Sequence, residues 1–376
     1  MYDVVIVGGG IIGVSLALKL AEQSFGKILV VEKDYLGSGS TFRCAGGIRA
    51  SFTSREHIVL MKRSIELWAK LKEKLGVKYS RSGYLWLASS EEELERIKGY
   101  MRIHHMFGLE TRLVDENFVK EIAPHVDTSR MAGALFDPLA GKASPFDSVY
   151  KQFLAAKRLG VEFLVGREVT RIDVEGGVAR GVEMNSERVE ARNIVVAAGA
   201  YSVHLLEKSG IRIPVTPVSH HAAITEDFGR LFDPLIIDVA SGAYAMQTFR
   251  GNVLMGVDVP EKPFGELDVK LVFLEKVVTV WSKWLKWLPN VNILRSWSGY
   301  YEMTPDHHPI LGPLTPIESL FIATGFSGHG FMMAPVVAEE ITSWIVSGKP
   351  KSREAGNLVL SRFEEGKTIK ELAVIG

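Results

Sequence analysis

Residues 4–7, Val-Val-Ile-Val, form an uninterrupted apolar run, which predicts a strand buried on both faces. Glycines at 8, 9, 10 and 13 follow it, residues 12–22 carry apolar side chains at helical spacing, and residues 28–31 form a second apolar run. The opening therefore reads strand, turn, helix, strand. The pattern then predicts a long amphipathic helix over 54–75, a strand over 84–88, a charged helix over 91–107 and a helix over 146–159. Strands are expected at 162–165, 169–174, 179–184 and 193–197. Residues 214–256 alternate like an antiparallel sheet, 268–288 read as a Trp-rich helix, and strands at 293–301 and 320–323 precede a final helix from about 330. The Trp-rich segment sets Val277, Trp281, Trp284, Leu285 and Leu288 on one face, for its own sheet, a partner subunit or a membrane surface.

A parallel opening with antiparallel blocks inserted later argues for an α/β protein with an α+β substrate domain. The nucleotide-binding domain is expected to be discontinuous, over 1–80, 142–213 and 293–376. The inserts 81–141 and 214–292 would form the substrate-binding domain.

Composition narrows the function classes. With 47% apolar and 23% charged residues in 376, the chain is neither disordered nor fibrous. Lys plus Arg equals Asp plus Glu at 44, so charge gives no argument for nucleic acid as a partner. One cysteine, Cys44, excludes an internal disulfide and an all-thiolate metal or iron–sulfur site, and fits a reducing cytoplasm. No basic leader precedes the first strand, and no apolar stretch approaches the ~20 residues of a membrane span. Seven Asn and three Gln in the whole chain lean towards a thermophilic source.

Gly8-Gly9-Gly10-Ile11-Ile12-Gly13 is G-x-G-x-x-G between a strand and a helix, with the acid Glu32 at the end of the second strand. Gly8 permits the tight turn, Gly10 lets a pyrophosphate approach, and Gly13 lets helix and strand pack. The helix N-terminus offers partial positive charge to the phosphates, and Glu32 can accept from ribose hydroxyls. A carboxylate there repels a 2′-phosphate, which disfavours NADP. The pattern alone leaves FAD and NAD both open.

Further segments carry a family resemblance: K-D-Y-L-G-S-G-S-T-F-R-C-A-G-G-I-R from Lys33 to Arg49, N-I-V-V-A-A-G ending at Gly199, G-Y-Y-E-M-T-P-D from Gly299, and G-F-S-G-H-G-F-M-M-A-P from Gly325. Together they resemble the D-amino-acid-oxidase superfamily of FAD enzymes, which includes glycine and sarcosine oxidases. Several segments are similar to the β subunits of archaeal dye-linked L-proline dehydrogenases. The resemblance covers essentially the whole chain. It implies a Rossmann-like FAD-binding domain with an inserted antiparallel-sheet substrate domain.

The resemblance also implies the FAD-contacting positions Gly8, Gly10, Ile11, Ile12, Gly13, Glu32, Lys33, Ser40, Thr41, Ala45, Gly46, Gly47, Val169, Ala198, Gly199, Gly328, His329, Gly330, Phe331 and Met332. Ser40 and Thr41 offer hydroxyls to the pyrophosphate, and the small residues 45–47 leave room for a flat ring. Arg49 corresponds to a basic residue near flavin N5, and the helix starting at Gly330 would direct its N–H groups at the N1–C2=O edge. His329 there reads chiefly as a backbone-geometry position. His220, on the strand that would roof the flavin, is the candidate base for the amine proton, with Arg49 as second catalytic candidate. Tyr244, Gln247, Tyr300 and Tyr301 are candidate substrate walls.

Departures from the family pattern refine the expectation. No cysteine stands in 297–302 and no histidine in 141–146, where some relatives attach flavin covalently, so FAD is expected to bind non-covalently. Met332 and Tyr301 stand where relatives have a lysine and an arginine for the substrate carboxylate. Leu254 stands where an oxygen-activating lysine aligns, which favours another electron acceptor. The expected function is an amino-acid dehydrogenase oxidising an amine next to a carboxylate by hydride transfer to flavin N5. L-proline to 1-pyrroline-5-carboxylate is the best single substrate. Electrons would leave to a partner subunit or a dye, and the chain is expected to stand with such a subunit or as a homo-oligomer. The rivals are a glycine- or sarcosine-type oxidase that makes peroxide, an electron-relay subunit without its own substrate, and an NAD enzyme.

Overall fold

A computed structural model describes residues 1–185 and 187–374. Its central sheet has six strands in the order Ile310–Pro313, Leu320–Thr324, Ile194–Val196, Val4–Val7, Ile28–Glu32, Glu162–Val165. Every neighbouring pair is parallel except that of the edge strand Ile310–Pro313. Val4–Val7 lies between two parallel neighbours and is buried throughout, which is why it reads as an unbroken apolar run. The helices Ile11–Glu22, Arg55–Leu75, Pro145–Arg158 and Gly330–Ser347 cover one face around a shared apolar core. On the other face a three-stranded sheet, Arg171–Glu175, Val178–Met184 and Glu187–Glu190, buries Ile172 and Val182 against Val5, Val7 and Leu29.

A second sheet of eight strands runs Ile293–Met303, Thr216–Asp227, Asn252–Gly256, Tyr244–Gln247, Leu235–Asp238, Tyr84–Ala88, Gly133–Asp137, Arg112–Val114. It is antiparallel except between Leu235–Asp238 and Tyr84–Ala88. The segments 81–141 and 214–292 supply seven of these strands. The eighth, Ile293–Met303, pairs along Thr216–Asp227 and so belongs to this sheet rather than to the nucleotide-binding part that was expected to begin at 293.

The Trp-rich helix is shorter than its periodicity suggests. It spans Leu271–Trp281, and turns lead into a 3-10 segment at Leu288–Asn290 that holds Pro289 in its first turn. Val277, Trp281, Trp284, Leu285 and Leu288 are all buried nonetheless, against the chain's own eight-stranded sheet. No helix among the described residues is long and apolar enough to cross a membrane.

Candidate active site

One long cleft runs between the two sheets, and the glycine turn opens it. Gly8 has φ +113°, a conformation that side chains with a Cβ rarely adopt, and its extra atom would overlap Ala197 O. Gly13 does not line the cleft. A side chain there would drive into Gly8 O, so it serves the close packing of helix on strand. Gly10 caps the helix Ile11–Glu22 without any side-chain bond, while Ile11 N–H donates to Thr41 Oγ1 at 3.1 Å. Glu32, largely buried, accepts from Gly9 N–H at 2.7 Å and Asp34 N–H at 2.9 Å. These bonds pin the carboxylate beside the turn. Lys33 lies over the Tyr201 ring, 3.4 Å from its centroid.

The cleft continues past Ser40, Thr41, Ala45, Gly46, Gly47, Val169, Ala198 and Gly199. Ser40 is tied to the roof, with Oγ donating to Tyr300 O at 2.8 Å. Its far end meets the N-terminus of the helix Gly330–Ser347, where His329 provides no side-chain cap and the first N–H groups are free. A side chain on Gly328 would overlap the Tyr301 ring, so this turn is held directly against the roof. Two helix N-termini without an N-cap side-chain bond, a glycine turn, a buried carboxylate at the end of the second strand and small-residue walls fit an elongated dinucleotide such as FAD. Cys44 also lines the cleft, but burial pushes its thiol up to about 12, leaving it protonated and unreactive near neutrality.

Arg49 is 1% exposed and lines the cleft. Its guanidinium lies over Phe52, 3.7 Å from the ring centroid, and donates to the carbonyls of Ser51 and Ala373. No carboxylate among the described residues bonds it, and burial pulls it down to about 10. Nearby Glu371 is already engaged by Thr53 and Ser54. Tyr84, Tyr244 and Tyr301 line the same part of the cleft, and burial raises all three phenols.

His220 faces the cleft and stacks on Tyr301 with centroids 3.7 Å apart. The next residue, His221, stacks on Phe273 of the outer helix, as strand alternation requires. Nδ1 of His220 lies 3.2 Å from Val218 O, and Nε2 lies 3.0 Å from Asp258 Oδ1. Both nitrogens face acceptors of this chain, and a neutral imidazole, with one N–H and one lone pair, can donate to only one of them.

Gln247 departs from the expectation. It does not line the cleft, because its amide accepts from Leu231 and Phe232 N–H and donates to Gly229 and Gly251 carbonyls. Tyr300 does line it and ties its hydroxyl to Gly265 O at 2.7 Å.

Behind His329 lies a buried imidazole cluster. His57 stacks on His308 at 4.2 Å and meets His329 edge-on at 5.2 Å. His308 Nδ1 lies 2.8 Å from Asp306 O, so Nδ1 carries the proton and Nε2 accepts from Ser54 Oγ at 2.8 Å. Burial and the neighbouring His57 drive His308 down to about 3 and His329 well below its ordinary value. Tyr84 and Glu302 also line the cleft and were missed from sequence. Tyr84 is hidden in an apolar strand, and the signal for Glu302 was a lone acid beside the aromatic pair Tyr300-Tyr301.

Comparison with known proteins agrees with this geometry. Sarcosine oxidase subunit beta of Rhizobium meliloti (strain 1021) is 28% identical over 381 residues, covering 98% of this chain and 90% of the relative. The subunit of the same description from Rhodobacter capsulatus is 25% identical over 383 residues, covering 100% and 92%. Among solved structures, L-proline dehydrogenase from P. horikoshii superposes with a TM-score of 0.94 at 36% identity, covering 98% of this chain and 99% of that one. Glycine oxidase from Bacillus cereus ATCC 14579, at 24% identity and a TM-score of 0.86, shares the fold, with 96% and 99% covered. The family model for FAD dependent oxidoreductases (DAO) matches residues 3–344, a span holding the glycine turn, Arg49, the roof strands and the His329 turn, and the chain belongs to that family.

Proposed function

We propose that this FAD-dependent oxidoreductase is an amino-acid dehydrogenase that oxidises a small amine next to a carboxylate, with L-proline as substrate and 1-pyrroline-5-carboxylate as product. The observation that carries this reading is Arg49. It is a buried guanidinium lining the cleft with only carbonyl partners, beside the aromatic walls Tyr84, Tyr244 and Tyr301. Two of its five N–H groups serve carbonyls, a buried cation without a carboxylate bond suits a substrate carboxylate, and the rings suit a compact apolar body. The likeness to L-proline dehydrogenase from P. horikoshii supports the substrate.

Bound FAD supplies the acceptor for the two electrons that leave the substrate carbon as hydride. The chain's own residues hold and orient. Arg49 fixes the carboxylate, the tyrosines exclude water, and Gly328 lets the helix N-terminus reach the cleft. The acids lining the cleft are Glu32, Asp34, Glu168 and Glu302, none of them bonded to Arg49. The imine forms only when the amine nitrogen has a free lone pair, so the amine reacts in its neutral form. Relatives described as subunits support a partner subunit as electron acceptor.

The test is anaerobic bleaching of the flavin by a panel of amino acids. L-proline is expected to bleach fastest, with electrons passing to an artificial dye more rapidly than to oxygen. Faster bleaching by glycine or sarcosine, with matching peroxide, would replace this reading by the oxidase one. Absence of bleaching by every amino acid would overturn the substrate class.

A further inference from the structure

Strand alternation sends Tyr301 towards the His220 ring and turns Glu302 the other way, onto the ends of Ile194–Val196 and Leu320–Thr324. The Glu302 side chain is 7% exposed and lines the cleft. Its Oε1 stands 2.9 Å from the position a Cβ on Gly199 would take, so it lies directly over the turn that ends the strand Ile194–Val196. No ion pair to the carboxyl exists among the described residues; the Thr324 hydroxyl beside it donates to Gly199 O at 3.1 Å, and the nearby N–H groups of Gly325 and Phe326 favour the charged form less than burial opposes it. Pro217, opposite it across the roof sheet, and Gly199 bring no charge, and Ser327 N–H bonds only its backbone oxygen. Two other buried acids have a cation beside them. Asp306 has Arg362 at 2.9 Å, and Glu339 has Arg63 at 2.9 Å.

A carboxyl that is buried without a cation favours its neutral form. Burial raises Glu302 to about 7. FAD brings a negatively charged pyrophosphate into the same cleft and removes more water from it, and both effects disfavour a carboxylate there. We propose that Glu302 is the proton-uptake site of FAD binding: the carboxyl is neutral in the holoprotein, and FAD binds tightly only when Glu302 carries its proton.

Below neutrality the proton is already present, and FAD binds without proton exchange. Above it, each FAD must bring a proton with it, so the dissociation constant rises by up to about tenfold per pH unit. The effect is separate from Arg49, Glu32 and the substrate.

The experiment dilutes the holoprotein between about pH 6 and about pH 8.5 and follows released FAD by its fluorescence. In the wild type, Kd is expected to rise about tenfold or more across this range. Glu302→Gln keeps size and neutrality, so it should match the wild type near pH 6 and stay flat above it. A measurement on the wild type alone stands beside it. Calorimetry of FAD rebinding near pH 8.5, in two buffers of different ionisation heat, should show close to one proton taken up per FAD. Failure of either measurement overturns the proposal: a pH-independent wild-type Kd, a Glu302→Gln protein with the wild-type slope, or rebinding without proton uptake.

Discussion

Replacing Glu32 probes the part of the cleft where backbone and cofactor compete for one carboxylate. One oxygen accepts from Gly9 N–H at 2.7 Å, and the other accepts from Asp34 N–H at 2.9 Å with Ser38 Oγ at 3.4 Å. The first oxygen, with one donor, keeps capacity for a ribose hydroxyl. A hydrogen bond to a charged group contributes about 1.5–3 kcal/mol, and each 1.4 kcal/mol is tenfold in affinity. Glu32→Ala should therefore weaken FAD binding about tenfold to a hundredfold from the ribose contact alone. It also releases the Gly9 turn, which adds to the loss. Glu32→Gln separates the two, since its amide oxygen can still accept from Gly9 N–H while the charge is gone. The expected order of Kd is wild type, then Gln, then Ala. The assay is fluorescence titration of apoprotein with FAD, held at one pH so that proton uptake elsewhere does not contribute. An Ala variant with wild-type affinity would refute the reasoning and place the ribose elsewhere.

Three further outcomes follow from the packing. Arg49→Lys keeps the charge but loses the fork, so substrate binding in anaerobic titrations should weaken about tenfold to a hundredfold with FAD retained, and unchanged binding would remove Arg49 as carboxylate anchor. Trp281→Ala empties a site with 0% exposure under the eight-stranded sheet and should cost about 3–5 kcal/mol in urea unfolding, a loss under 1 kcal/mol marking the helix as peripheral. His308 sits in the fold at about 3, below its unfolded value near 6.5, so the fold prefers its neutral form and stability should fall as pH drops from 6.5 towards 3. His308→Gln should make the thermal midpoint less pH-dependent across that window, and an unchanged slope would assign it to other groups.

What was legible in the sequence was local. The turn at Gly8–Gly13 works through backbone shape, and Glu32 follows at a spacing set by one helix and one strand. Both can be read without knowing what packs around them. Gln247 could not be read this way. It lies on an alternating strand beside Tyr244, yet its amide is claimed by backbone groups at 229, 231, 232 and 251, brought to it by a loop whose path no periodicity records. His220 was legible only in part. Its strand face was predictable, but the Asp258 carboxylate that takes Nε2 comes from the loop after the strand Asn252–Gly256.

The strand Ile293–Met303 shows how such an omission reaches function. Its apolar and aromatic residues were read as part of the nucleotide domain, yet it forms the outer edge of the roof sheet. Placed there, the strand spans both halves of the cleft. Gly299 meets Arg43 of the short helix Ser40–Arg43, Tyr301 stacks on His220, and Glu302 reaches the ends of the parallel strands. One strand therefore fixes the distance between the two sheets, and successive residues on it serve different parts of the site. Tyr301 and Glu302 are neighbours in sequence but face opposite sides, so a change at one should leave the chemistry of the other intact. Substrate recognition should follow the Tyr301 side, and the pH dependence of FAD binding should follow the Glu302 side.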